Sequence, residues 1–378
     1  MFRNPLNALL IGLLTIGASC RKDPQPPAGG GPVGALRLIG QQNVRYRFDY
    51  AGTPVGGLSS LAYRPDTQTY FIMCDDRGTS QAPRFYEANL DFDAEAFDTV
   101  SFTRTVPLKQ PDGTPFPSRG GTIDPEGLAY NPATGTLYWS SEGERLPTDN
   151  PPVLVQPFIR EMTPNGDYVA EFALPEPFRM QATNNGPRRN GVFESLTLSA
   201  DGKHLFAALE EPLYEDGPRA DANAGGVVRI LKFDLASRSL VAQYAYPLDK
   251  VHAAPQPADQ FSLNGVVEIL PLAGDKLLVM ERSFAIGVTP DFAVKLYEAD
   301  LGAATDVSAL PALAGATYAP ATKKLVLDVG STGISRVDNL EGMTFGPALP
   351  NGNRSLVLVS DDNFVPLQVT QFLAFEVR

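Results

Sequence analysis

Glu126, Glu194 and Glu341 each stand just before an apolar–x–apolar stretch, and Asn264 holds the same place in a fourth segment. A fifth segment has Ser59 there, one place late against the others. Carboxylate and amide oxygens gathered at one point suit a hard cation such as Ca2+. Without an ion, burial of so many unpaired carboxylates is strongly unfavourable, and the alternative is a solvated ring of acids around a wet channel. Acids recur where the next strand of each segment ends: Asp75–Asp76, Glu142 with Glu144, Glu210–Glu211, Glu281 and Asp361–Asp362. Arg77, Arg145 and Arg282 sit beside three of these groups. They are suited to pair the acids or to meet an anionic substrate bidentately. Histidine chemistry has only His204, in a strand, and His252, in a Pro/Ala-rich loop, and both read as structural.

Five copies of one unit position these residues. GLSSLAYRPDTQTYFIMCDD, PEGLAYNPATGTLYWSSEGE, FESLTLSADGKHLFAALEE, LNGVVEILPLAGDKLLVMERS and LEGMTFGPALPNGNRSLVLVSDD begin at Gly57, Pro125, Phe193, Leu263 and Leu340. Each has an apolar–x–apolar run, a turn rich in Pro, Asp, Asn or Gly, and a second apolar strand, which is a hairpin signature. Aligning Leu58, Leu128, Leu196, Val266 and Met343 gives intervals of 70, 68, 70 and 77 residues. Two further strand-like runs follow the third hairpin, Val227–Leu235 and Ser239–Tyr246, and two follow the fourth, Val294–Leu301 and Lys323–Gly330. Four antiparallel strands repeated about an axis predict an all-β propeller. Five blades is the expectation, with a sixth, degenerate blade in the 77-residue interval as the alternative. After the fifth hairpin one strand remains, Gln371–Val377, and Val44–Tyr50 is expected to pair with it and close the ring. The first strand of each blade starts near the axis, so the repeated acids should share one cavity.

Composition narrows the class. Glycine and proline, 34 residues each, make up about 18% of the 378 residues, below the roughly 25–30% of low-complexity chains. Hydrophobic residues at 43% supply an ample core, and a net charge of −12 repels phosphate backbones, so nucleic acid is not an expected partner. Two cysteines and two histidines exclude zinc fingers, haem-attachment motifs and disulfide frameworks. No G-x-S-x-G, H-E-x-x-H or Walker A motif is present.

The first residues read as an address. Arg3 precedes an apolar run, Ala8–Ile16, and Gly17, Ala18 and Ser19 lead into Cys20. A cysteine directly after small residues resembles a bacterial lipobox, although Gly17 stands where leucine is usual. Residues 1–19 are read as a signal peptide, 20–35 as the lipidated Cys20 with a flexible Pro/Gly-rich tether, and 36–378 as the propeller domain. The expected place is the bacterial cell envelope, on a membrane through Cys20, as a monomer. Cys74 is read as a buried strand residue.

IDPEGLAY (Ile123–Tyr130), GVFESLTLSADGKHLFAALEE (Gly191–Glu211), LLVMERSF (Leu277–Phe284), VDNLEGMTFGP (Val337–Pro347), LVSDDNF (Leu358–Phe364) and the tail TQFLAFEV resemble the phytase-like esterase family. The resemblance runs from about Gly57 to the C-terminus, and Ser195 stands where a glycine follows the glutamate elsewhere. It implies a propeller acting on phosphoesters or related esters, often with metal. On that reading Glu126, Glu194, Asn264 and Glu341 hold one divalent cation, Ca2+. Arg282, Arg77 and Asp361 position a small ester or phosphoester, with Glu194 also in the reaction. A propeller that binds a ligand or a protein without catalysis is the alternative, because fold does not choose function.

Expression with the native leader should place the protein in the detergent phase of a Triton X-114 partition, and Cys20→Ala should move it to the aqueous phase. Equal partitioning of the two proteins would remove the lipobox reading.

Overall fold

The computed structural model describes Met1, residues 31–118 and residues 123–378. The leader, Cys20 and the tether up to residue 30 lie outside the described residues. Five four-stranded antiparallel sheets form a five-bladed propeller, so the longer interval holds no sixth blade. The innermost strands are Ser60–Arg64, Pro125–Asn131, Phe193–Leu198, Ser262–Pro271 and Leu340–Ala348. The second strands, Thr69–Cys74, Thr136–Ser141, His204–Leu209, Lys276–Ala285 and Arg354–Ser360, are buried on both faces. Neighbouring blades cover both sides of each, which is why they read as nearly unbroken apolar runs. Outer strands are half exposed, as in Phe97–Pro107 and Thr322–Asp328.

The core fills the gaps between blades. Between blades 1 and 2, Phe71, Met73 and Phe85 meet Trp139 and Phe158, with the last two rings edge to face at 4.9 Å. Burial of such a side chain is worth about 1.5–3 kcal/mol. At the axis the space is too narrow for ordinary side chains. A Cβ on Gly127 would come within 2.9 Å of Leu196 N, and one on Gly342 within 2.9 Å of Ser60 Cα. The residue after each axial position is therefore Ser60, Gly127, Ser195, Gly265 or Gly342. This corrects the alignment of the first repeat: Ser60 pairs with Met73, so Leu61 rather than Leu58 matches Leu128. Ser59 is then in phase with the glutamates, with no slip.

Closure also differs from expectation. The strand paired antiparallel with Thr370–Val377 is Leu36–Val44, running from Leu36 opposite Val377 to Val44 opposite Thr370. Phe48–Tyr50 instead makes a small hairpin with Thr53–Val55. The N-terminal strand is the outermost strand of blade 5, and Arg37 donates to the buried Glu376 carboxylate at 2.7 Å. Arg378, Asn351 and Asn353 donate to the same carboxylate.

Removal of residues 1–44 should expose the edge of Thr370–Val377, lower the melting temperature by many degrees and promote aggregation. Removal of residues 1–30 should do neither. Thermal melts and light scattering on the two truncations check this, and equal behaviour would dismiss the closing role.

Candidate active site

Three β-bulges aim the glutamates. The ladder between first and second strands is interrupted from Pro125 to Leu128, from Phe193 to Ser195 and from Leu340 to Gly342. Glu126, Glu194 and Glu341 sit inside those interruptions, where the extra residue turns a side chain out of the pleat. In blade 4 the bulge falls later, between Val266 and Glu268. Asn264 therefore stays in the regular ladder, and its amide donates to Asp249 O and Glu281 Oε2, both at 2.9 Å. The structure does not bring Asn264 to the other three, so it drops out of the expected ligand set.

The second-strand acids sort by the two-residue alternation of a chain leaving a strand. Asp75, Glu142, Glu210 and Asp361 join the axial group. Asp76 is instead held by Arg84 at 2.9 Å and by the amides of Thr79, Ser80 and Gln81. Asp362 caps the Gly57 and Phe364 amides. Glu281 is satisfied by Tyr246, Lys323 and Asn264. Arg145 donates to the Gln181 and Thr183 carbonyls and so pins a loop rather than serving the cavity. Neither histidine lines the cavity: His252 lies against Ser283 Oγ and Pro290 O, and His204 is 3.9 Å from Asp201.

Two groups emerge in place of one shared ion. Arg282 supplies a fixed cation between blades 3 and 5, with Nη2 3.1 Å from Glu210 Oε1 and 2.9 Å from Glu341 Oε1. Asn339 also donates to Glu341. Across the axis, ligand oxygens of Asp124, Glu126 and Glu142 lie within 4.8 Å of one another. Of the expected ligands only Glu126 belongs to this set. Asp124 Oδ1 and Glu142 Oε2 are buried without hydrogen-bond partners, and Arg77 pairs Asp124 Oδ2 at 2.6 Å while its charge also reaches Glu126 and Glu142. Three desolvated carboxylates against one guanidinium, with orphaned oxygens between them, fit a hard divalent cation. Glu194 is 5% exposed and lies between the groups, near enough for its charge to push up Glu126. Asp361 is buried, takes the Asn363 amide at 2.6 Å and faces Asp75 and Glu341.

Burial is the main cause that raises every one of these acids. It pushes Asp124, Glu210, Glu341 and Asp75 up to about 7, with Arg77 or Arg282 opposing. Glu126, Glu142, Glu194 and Asp361 are driven well above the carboxylate range by burial and then by their acidic neighbours. Glu268 is a further buried carboxyl, raised by burial alone, that accepts from Ser60 Oγ at 2.7 Å and Ile269 N at 3.0 Å. The sequence hid it inside the apolar run GVVEIL. Asp124 had a signal: it stands two residues before Glu126, as Asn339 does before Glu341. Cys74 is buried with its thiol pushed up to about 12, an inert strand residue donating to Gly56 O.

A cavity of about 650 Å3 opens above these groups. Arg77, Arg282, Glu210 and Glu341 line it, while Glu194 and Asp361 lie buried behind the lining. The fold and site together define a five-bladed propeller with an acidic axial centre under an arginine-bearing mouth. Residues 53–364 match the phytase-like family, described as esterase-like activity of phytase, and the chain belongs to that family. No curated protein matches it. Among solved structures, a mutant of the GH43 protein BlXynB from Bacillus licheniformis is similar at 10% identity and a TM-score of 0.45. That likeness covers 88% of this chain and 54% of the other, so this chain spans about half its length. Kuenenia stuttgartiensis hydrazine synthase (14%, 0.36, 85% and 82%) and the Dos1 propeller (8%, 0.34, 85% and 68%) are also similar.

Carboxyls raised from about 4 to about 7 bind protons more tightly folded than unfolded. Their stabilisation is complete below the unfolded value and is lost as pH rises through about 7. In chelator the melting temperature should fall from pH 5 to pH 8. Added Ca2+ should restore it, more at pH 8 than at pH 5, because protons compete for the same oxygens. Calorimetry across that range tests this. A transition that ignores calcium at every pH would leave the acids as a solvated lining.

Proposed function

We propose that this chain is a hydrolase of small anionic esters, phosphoesters or carboxylic esters, working with Ca2+ at Asp124, Glu126 and Glu142. The carrying observation is that the Glu210–Arg282–Glu341 group lines one cavity together with Arg77, whose guanidinium pairs Asp124 of the buried oxygen cluster. The family's description as esterase-like supports the same class. A cation held there supplies Lewis-acid polarisation of an ester or phosphoryl oxygen.

The chain's own residues do the rest. Arg282 engages Oε1 of both Glu210 and Glu341, which leaves each Oε2 to handle a proton. Two carboxyls that titrate near neutrality around a common arginine divide into one acid and one base. The ionised one takes a proton from the attacking water, and the protonated one gives its proton to the departing oxygen. Their values near 7 match that work at neutral pH. Arg77, 29% exposed at its side chain, is placed to hold the anionic part of the substrate. Glu194 sets the field between the two groups through its coupling to Glu126, Glu210 and Glu341. Arg3, the apolar run Ala8–Ile16 and Cys20 support a cell-envelope location on a lipid tether, with the chain acting as a monomer.

Phosphate or carboxylic ester turnover should give a bell-shaped pH profile centred near 7 and should stop in EDTA. Glu210→Gln and Glu341→Gln should each remove one limb of the bell and lower kcat by roughly 10^2–10^4, and each should flatten the fall of melting temperature between pH 5 and pH 8. No turnover of p-nitrophenyl phosphate or p-nitrophenyl acetate with Ca2+ present would favour a binding propeller instead.

A further inference from the structure

The chemistry above uses only the charged part of the cavity. Phe261, Leu263, Phe284 and Phe292, all from blade 4 or the turn into it, line the remainder. Phe261 and Phe284 have ring centroids 6.2 Å apart and tilted by 40°, and Phe284 and Phe292 are 4.8 Å apart at 38°. The three rings make one continuous apolar surface, and its outer member, Phe261, is 48% exposed. An exposed aromatic beside a polar cleft gains from a partner that covers it. Other exposed large apolar side chains border the same opening: Ile286, whose amide bonds Phe261 O, and Val365 and Leu367 beside the lining residues Asn363 and Gln368.

The arginines not yet used come from the segment before blade 3, Arg189, and from the loop between its second and third strands, Arg219. Arg189 spends Nε and Nη2 on Glu144, and Arg219 spends Nε and Nη2 on Glu211. Their side chains remain 52% and 40% exposed, so each keeps a guanidinium edge for an oxyanion. A highly phosphorylated polyol would set charged groups against phenyl faces and against the acidic floor, losing hydration without return. An ester with one anionic group and one ring-sized apolar group satisfies both sectors, and about 650 Å3 is enough for such a molecule.

Resting on the hydrolytic reading, we propose that the substrate is an amphiphilic monoester. Its oxyanion meets Arg77, Arg189 and Arg219, and its apolar group stacks on Phe261, Phe284 and Phe292. These phenylalanines are the specificity-determining residues.

The probes are 1-naphthyl phosphate, glycerol 2-phosphate and myo-inositol hexakisphosphate, given to the whole mature domain with Ca2+. Phosphate release gives kcat/KM, and titration calorimetry gives binding independent of turnover. Wild type should prefer 1-naphthyl phosphate over glycerol 2-phosphate by at least about tenfold. Phe261→Ala, at a half-exposed site, should shrink that preference about fivefold by lowering kcat/KM for 1-naphthyl phosphate more than for glycerol 2-phosphate. Phe284→Leu, which keeps the apolar volume but removes the ring, should act in the same direction. Equal rates for the two monoesters, best turnover of the hexakisphosphate, or a preference untouched by both variants would overturn the inference while leaving a hydrolase. Binding of 1-naphthyl phosphate that weakens in Phe261→Ala without any turnover would uphold it and remove the hydrolytic reading. Neither binding nor turnover of 1-naphthyl phosphate would overturn it.

Discussion

Desolvation of carboxyl groups at the propeller axis is the constraint on which the rest of this molecule depends. Four of the five hairpins deliver acids to one narrow place, where burial strips them of hydration. The chain answers in two ways. On one side of the axis it commits a permanent charge, Arg282, to Glu210 and Glu341. On the other it gathers Asp124, Glu126 and Glu142 around Arg77 and leaves buried oxygens without protein partners. The first half needs a proton on one carboxyl beside its arginine, and the second needs protons or a cation. That asymmetry separates a pair of carboxyls bridged by an arginine at the cavity wall from a carboxyl cluster buried behind it.

The same narrowness shapes the backbone. Only serine or glycine follows each axial position, and a bulge beside each axial glutamate turns its carboxylate inward. Blade 4 breaks the pattern because its bulge lies after Val266. There Asn264 turns to Glu281, Arg282 enters the cavity, and Glu268 takes a buried place bonded to Ser60 of blade 1. The charge that completes the acidic ring thus comes from the blade whose bulge is displaced.

The hairpins were legible because two adjacent physical signals coincide in each: alternation over two buried strands and a turn rich in Gly, Asn or Asp. The axial glutamates were legible for the same reason, since repetition marks equivalent positions. Bulge placement left no such mark, so Asn264 was grouped with residues that it does not meet. Glu268 was masked by apolar neighbours on both sides, and Asp124 by its place before the strand. Closure was expected from the right end of the chain but the wrong segment. Edge strands such as Leu36–Val44 are only half buried, so their sequence pattern is weak, and the following residues carry a similar one.

Closure by Leu36–Val44 gives the propeller a mechanical polarity. Any pull on the chain before residue 31 must first draw on Val33, buried in the core, and Ala35, whose carbonyl accepts from Arg378 N, before it reaches Leu36, opposite Val377 at one end of the ladder. Tension along the strand loads its eight residue pairs together, in shear, whereas tension across the blade opens them one by one. Arg37 on the Glu376 carboxylate lies one residue in, where peeling would begin. Under an across-blade load, yielding there would free an edge of blade 5 before any axial residue moves, so the ring would open as a clasp does, from its outermost strand.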